Sequence, residues 1–278
     1  MTSHDVVARV RRATGEASVG HLGTLDPMAT GVLPLLLGKY TRLAQFLNTS
    51  DKSYTGTIRF GFATDTYDAE GTALAGGVAS RGPSLEEVRA EAARYVGEIE
   101  QMPPPFSAKK VGGKPAYKLA REGKTPELKA VRIRVEAFTI EALEGDTVRF
   151  AMRISAGGYV RSIAHEMGQR LGCGAHLASL RRTAAGAFTL EDAVGLIEVE
   201  RLGGEVRERM VHPRRLLPEM PAVTADEATL GRLRNGMQVN LPEYSGAERV
   251  KIFAGQRELV GIGKRVAGTL FQPVVVLV

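Results

Sequence analysis

The stretch GHLGTLDPMATG, Gly20 to Gly31, places one carboxylate, Asp26, directly before Pro27 in a glycine-rich segment that also holds His21. Two uses of such an aspartate are open. Asp-Pro among glycines is a common turn, because the Asp side chain hydrogen-bonds nearby backbone. The carboxylate can also do chemistry, as a nucleophile or a base. A proline keeps the residue before it extended, which fixes where its side chain points. Glycines let the backbone approach a ligand closely. A carboxylate held rigidly and shielded from water needs a cation. Arg161, in GGYVRS beside Tyr159, is the candidate partner.

Other chemistries fit poorly. A phosphate-binding loop needs Lys and Ser/Thr entering a helix, and a dinucleotide fingerprint needs Gly-x-Gly-x-x-Gly; the stretch has neither spacing. Zinc takes three or four N/S ligands. Cys173 is the single cysteine, with His176 and His165 nearby, and HEMGQ lacks a second histidine. The Cys pair of the zinc deaminases is missing too, so Cys173 reads as a small buried side chain. No Gly-x-Ser-x-Gly elbow marks a Ser-His-Asp hydrolase. No metal is expected.

Composition bounds the partners. The chain has 278 residues, 44% of them hydrophobic, which suits one large domain or a large domain with a small one. Lys and Arg outnumber acids 37 to 31, a net charge of +6. Basic clusters at 9–12, 109–110, 132–134, 181–182, 214–216 and 251–257 are spread over the whole length. Each alone reads as a solvated face; together they fit a long basic track for a polyanion. No apolar run is long enough to span a membrane. MTSHDVVARVRR carries charges where a signal peptide would be apolar. With one cysteine, a reducing cytoplasm is expected.

The elements that must position these residues are legible as patterns. SHDVVARVRRATG predicts a helix capped by Ser3 and ended by Gly15. KYTRLAQFL has helical spacing. SYTGTIRFGFAT alternates, with Tyr54, Gly56, Ile58 and Phe60 on one side, and predicts a half-buried strand. SLEEVRAEAARYVG opens on a Ser84/Glu87 capping box and closes at Gly97. Segments 131–140 and 148–154 predict a strand pair around the turn EGD, followed by a helix in YVRSIAHEMGQRLG that stops at Gly172. Residues 101–127, rich in Pro, Gly and Lys with Phe106 and Tyr117 interleaved, read as a surface loop or as a mobile basic flap. The tail from 224 has a short helix and brief β-like runs.

Four blocks in order carry a resemblance: GHLGTLDPMATGVLPLLLGKYTRLAQFL, KSYTGTIRFGFATDTYDAEG, QMPPPFSAKKVGGKPAYKLAREG and SAGGYVRSIAHEMGQRLGCGAHLASLRRTAAGAF. They resemble the TruB family of tRNA pseudouridine synthases, from Thr2 to about Phe188. The resemblance implies isomerisation of uridine 55, in the TΨC loop of tRNA, to pseudouridine. It implies Asp26 as the catalytic aspartate, Tyr54 as the ring stacking on the target base and Arg161 as the partner of the aspartate. It further implies substrate-binding roles for His21, which fills the gap left by flipped bases, for Leu180 in the base pocket and for Tyr159. Residues 101–129 match an insertion that clamps the stem-loop, with Lys109, Lys110 and Lys114 as phosphate contacts. The isomerisation has no redox change and no net hydrolysis, so no nicotinamide, metal or ATP is needed and no cofactor is expected. The base must be flipped out to be reached.

The fold implied is α/β (α+β), a pseudouridine synthase fold with a large mixed, mostly antiparallel sheet and a small C-terminal PUA-like β domain. The expected domains are a catalytic domain over 1–219 and an RNA-binding domain over 220–278. The partner implied is the T-arm stem-loop of tRNA, bound by a cytoplasmic monomer that needs neither membrane nor protein partner. The alternatives are the catalytic subunit of an RNA-guided pseudouridine synthase, or a non-catalytic tRNA-folding chaperone. RNA-guided proteins are longer, and this chain ends at Val278, which favours the stand-alone enzyme. The family usually carries a strand ending in Lys-Pro before the block that starts here at Thr2, so an edge of the sheet built differently, or a start assigned late, is expected.

Overall fold

The computed structural model describes residues 1–48, 50–74, 82–107, 109–125 and 127–277. In chain order the helices are α1 (Ser3–Thr14), α2 (Ala44–Leu47), α3 (Leu85–Ala93), α4 (Ala116–Arg121), α5 (Val160–Arg170), α6 (Leu196–Leu202) and α7 (Glu227–Arg234). The strands up to the middle of the chain are β1 (Val19–His21), β2 (Thr30–Gly31), β3 (Leu35–Leu37), β4 (Lys52–Phe60), β5 (Gly97–Gln101), β6 (Lys110–Val111), β7 (Lys114–Pro115), β8 (Val131–Glu144) and β9 (Thr147–Ile154). There follow β10 (Ala175–Ala185), β11 (Phe188–Thr189), β12 (Ala222–Ala225), β13 (Val239–Asn240), β14 (Arg249–Ala254), β15 (Glu258–Ala267) and β16 (Leu270–Val276). None of the described helices is long and apolar enough to cross a membrane.

The chain forms two compact units, and it passes between them several times. The first comprises Met1, Leu25–Leu33 and Thr49–Leu190; the second comprises Thr2–Thr24, Pro34–Asn48 and Glu191–Val278. The boundary expected at 219/220 divides the chain differently.

The first unit is built on a sheet of order β11-β10-β4-β9-β8-β5, with β2 added beside β10. Every pairing is antiparallel except β2 with β10. The expected large, mostly antiparallel mixed sheet is therefore present. Alternation in β4 buries Ile58 and Phe60 and exposes Arg59, as the period of two requires. In β8, bulges after Val135 and Ile140 break the alternation, so Phe138 takes the inward place. The inward residues pack with Val88 and Ala92 of α3 and with Val160, Ile163, Ala164 and Met167 of α5. Burying each such side chain contributes roughly 1.5–3 kcal/mol. This core holds α5, the bearer of Arg161, against the sheet.

Local signals are mostly where the sequence places them, with two corrections. The cap of α1 is Thr2, not Ser3: Thr2 accepts from the Asp5 N–H, and the Asp5 carboxylate accepts from the Thr2 N–H in return. Thr2 is the better cap because an acid stands three residues on, which closes the box. The Ser84/Glu87 box is present. Helix α3 ends at Ala93, however, and Gly97, at φ 111, begins β5 instead of closing the helix. Gly15 ends α1 in the left-handed conformation.

In the second unit, Val7 and Val10 of α1 pack with Val19, Leu196 and Val199, and β1 pairs with β3. The C-terminal sheet has the order β12-β14-β15-β16-β13 around Leu233, Ile252 and Phe271. The β-like runs of the tail are thus strands, and β12 joins them in parallel with β14.

Candidate active site

Asp26 is held in two ways at once, by its backbone and by its side chain. Its carbonyl accepts from the Ala29 N–H at 2.9 Å, so Asp26-Pro27-Met28-Ala29 is a turn. Its carboxylate takes a two-pronged contact from Arg161: Nε donates to Oδ2 and Nη2 to Oδ1, both at 2.8 Å. Such parallel charge-assisted bonds fix position as well as charge. The Arg161 side chain is 6% exposed and that of Asp26 29%, so the cation is the buried member and the carboxylate retains an open side.

The remaining donors of Arg161 are also placed. Nη2 donates to the Phe106 carbonyl at 3.1 Å and Nη1 to the Thr66 carbonyl at 3.0 Å. The buried Asp68 carboxylate lies 3.6 Å from Nη1. A guanidinium has five N–H donors, and here each faces an acceptor. Arg161 is therefore a fixed anchor.

Three further contacts hold the site. The fully buried Gln101 carboxamide donates to the Tyr159 carbonyl at 2.9 Å and accepts from the Tyr159 N–H at 2.8 Å, just before α5 begins. The Ser162 hydroxyl donates to the Met102 carbonyl at 2.8 Å. At the far end of the aspartate loop, Arg182 Nε donates to the Val32 carbonyl at 2.8 Å, and the Val32 N–H donates to the Arg182 carbonyl at 2.9 Å. Gly31, at φ 99, lies so close to the Arg182 carbonyl that no Cβ fits.

Tyr54 stands in β4 beside this loop. Burial raises its phenol above the ordinary value, the Asp26 charge adds to that, and a hydrogen bond and the charge of Arg182 oppose it. The ring is therefore neutral near pH 7. Burial likewise raises Tyr159, against Ser107 and Arg161. Leu180, buried in β10, lines an open groove of about 330 Å³ with Met28, Thr30, Thr55 and Arg181.

Residues 11–160 match the TruB family pseudouridylate synthase N-terminal domain, and residues 161–218 match the tRNA pseudouridylate synthase B C-terminal domain. The chain belongs to the TruB family. The tRNA pseudouridine synthase B of Solibacter usitatus (strain Ellin6076) is 44% identical over 99% of this chain and 96% of that protein. That of Opitutus terrae is 48% identical over 76% of this chain and 87% of its own. Among solved structures, the Nop10–Cbf5 complex of an archaeal box H/ACA sRNP aligns at a TM-score of 0.70 and 24% identity, over all of this chain and 83% of that one. A Cbf5–Nop10–Gar1 complex gives 0.72 at 24%, over 82% of that chain. At such identities the likeness speaks for the fold. As a TruB enzyme the chain is an isomerase that converts uridine to pseudouridine.

Of the residues that the TruB resemblance singles out, Asp26 and Arg161 meet directly and Tyr54 lies within electrostatic reach of Asp26. His21 is in β1 of the second unit, paired with Leu35. Lys110 and Lys114 sit on the β6–β7 hairpin, and Lys109 Nζ donates to the Lys129 carbonyl at 3.4 Å. Residues 108 and 126 of the expected clamp lie outside the described residues. Sequence reasoning missed Gln101, Asp68 and Arg182. Asp68 stands in DTYDAEG, where an acid in a polar loop gives no signal. Arg182 belongs to a cluster assigned to the basic track, yet it is 1% exposed. Lys251, of another cluster, is buried too and donates to the carbonyls of Arg214 and Leu216. The track is correspondingly shorter than the sequence suggests.

Proposed function

We propose that the chain isomerises uridine 55 in the TΨC loop of tRNA, with Asp26 as the catalytic carboxylate. The observation that carries this is the two-pronged Asp26–Arg161 contact beside Tyr54 in a TruB chain. Each oxygen of a carboxylate has two lone-pair sites. Arg161 occupies one on each, leaving the others for the flipped nucleotide on the open side of Asp26. The Arg161 fork keeps the carboxylate aimed. The neutral Tyr54 ring offers a face on which the extruded uracil stacks, offsetting part of the few kcal/mol that flipping costs. Leu180 supplies an apolar wall. The N1–C1′ glycosidic bond breaks, the uracil turns, and a C5–C1′ bond forms; C5 gives up its proton and N1 takes one up.

The substrate is the T-arm stem-loop, held by the 101–129 segment and by a PUA-like tail domain over 220–278, with 1–219 as the catalytic domain. Tritium release from a hairpin labelled at C5 of its uridines tests the reading. Release from the T-arm hairpin, and none when uridine 55 is replaced by cytidine, is the expected result. Equal release from the replaced hairpin overturns the site assignment.

A further inference from the structure

Tyr67 is one of two described non-glycine residues with positive φ, at φ 66. A bulky side chain is strained there and stays only where its surroundings hold it. The surroundings are specific. The Tyr67 ring lies face to face on the His165 ring, with centroids 3.7 Å apart and planes 12° from parallel. The Tyr67 carbonyl accepts from the Leu177 N–H of β10 at 3.0 Å, and the Ala69 N–H donates back to the Leu177 carbonyl at 3.0 Å.

The flanking residues of this arch contact Arg161. The Thr66 carbonyl takes Nη1, and the Asp68 carboxylate lies 3.6 Å from the same nitrogen while accepting from the Thr66 hydroxyl. His165 follows Arg161 by one turn of α5, on the same face. One helix face thus carries both the guanidinium and the ring, and one strained arch touches both. His165 is braced in turn by Gln169, 3.0 Å from its Nε2. The two rings also line a cavity of about 120 Å³ with Met102, Ser162, Glu166 and Gln169. Burial lowers the His165 pKa, so the stacked ring is neutral near pH 7.

Resting on the proposed role of Asp26, we infer that Tyr67 and His165 are positioning residues: their stack locks the Thr66–Asp68 arch, and the arch sets the rotation of Arg161 and hence the aim of the Asp26 carboxylate. Misplacing a catalytic group by about 1 Å costs on the order of a hundredfold in rate, so the stack acts on the chemical step.

The test uses His165→Ala and Tyr67→Gly, which remove one ring each; the glycine also relieves the strain at 67. His165→Phe and Tyr67→Phe keep two flat faces. Single-turnover rates on prebound T-arm hairpin should fall about tenfold or more in the first pair, with hairpin affinity unchanged, and return towards wild type in the second pair. The double variant should be no slower than the slower single, because both disable one device. A second readout needs no substrate: hydrogen exchange of the Arg161 Nε–H in the free protein, its signal assigned by loss in Arg161→Lys. Exchange should quicken about tenfold in the ring-deleted variants and not in the ring-keeping ones. Unchanged Arg161 exchange in folded His165→Ala overturns the inference. Wild type inactive on the hairpin with exchange altered as expected would instead overturn the substrate reading alone.

Discussion

Gln101 closes two hydrogen bonds on a single residue: its amide donates to the Tyr159 carbonyl at 2.9 Å and its oxygen accepts from the Tyr159 N–H at 2.8 Å. The pair sits where β5 ends and α5 begins, so it joins the root of the 101–129 segment to the helix that carries Arg161. Gln101→Ala leaves the Tyr159 N–H unpaired, at about 1–3 kcal/mol, while the Tyr159 carbonyl keeps the Ile163 N–H at 3.4 Å. The midpoint of thermal unfolding should fall by several degrees, and turnover should drop in the protein that remains folded. An unchanged melting temperature shows that water replaces the carboxamide.

Asp26→Asn keeps the shape and loses the charge and the basicity. Proton-transfer roles alone account for about a hundredfold to ten-thousandfold in rate, so pseudouridine formation should vanish while hairpin binding persists. Tritium release at a sizeable fraction of the wild-type rate refutes the assignment.

Arg161→Lys keeps the charge but gives Asp26 one hydrogen bond in place of two and abandons the Thr66 and Phe106 carbonyls. A hydrogen bond to a charged group contributes about 1.5–3 kcal/mol, which corresponds to roughly tenfold to a hundredfold in rate. Single-turnover kinetics should show that loss. Wild-type rates would mean that the fork is dispensable.

Lys109, Lys110 and Lys114 are predicted to bind phosphates. Replacing all three by Ala should weaken hairpin binding and flatten its salt dependence, by a slope of about one for each phosphate left unneutralised. Titrations at several salt concentrations measure it, and an unaltered slope removes these lysines from the interface.

The Tyr54 phenol is raised above its ordinary value of 10.0, chiefly by burial. A folded pKa above the unfolded one favours the protonated form in the native state. The stability concerned is thus fully present below about pH 10 and is lost as the pH rises through the folded value. Tyr54→Phe should make the alkaline fall in melting temperature shallower; an identical fall would place the effect on other tyrosines.

How much of this is legible in the sequence depends on how local the cause is. The β4 pattern, the Ser84/Glu87 box and the β8–β9 pair depend on neighbours in sequence, and they stand where the sequence puts them. The bulges after Val135 and Ile140 are set in the pairing of β8 with β9 and leave no local mark. Arg161 and Asp26 are 135 residues apart, so the need of a shielded carboxylate for a cation nominates the pair without proving it. Arg182 and Lys251 look like solvated charges because a buried cation is identified by the carbonyls around it, which sequence does not display. Gln101, uncharged and at the door of a proline-rich run, has no signal at all.

The second unit takes its residues from both ends of the chain, and that has a consequence for synthesis. Arg9 of α1 pairs with Glu200 of α6, 191 residues later. At about 5–20 residues per second, α1 leaves the ribosome on the order of ten to forty seconds before its partner exists. Through that interval Val7 and Val10 have no α6 to cover them, while the sheet of the first unit is completed by Thr189. The residues of the larger core are therefore all synthesised before α6, and α1 is among the elements that wait longest for a packing partner.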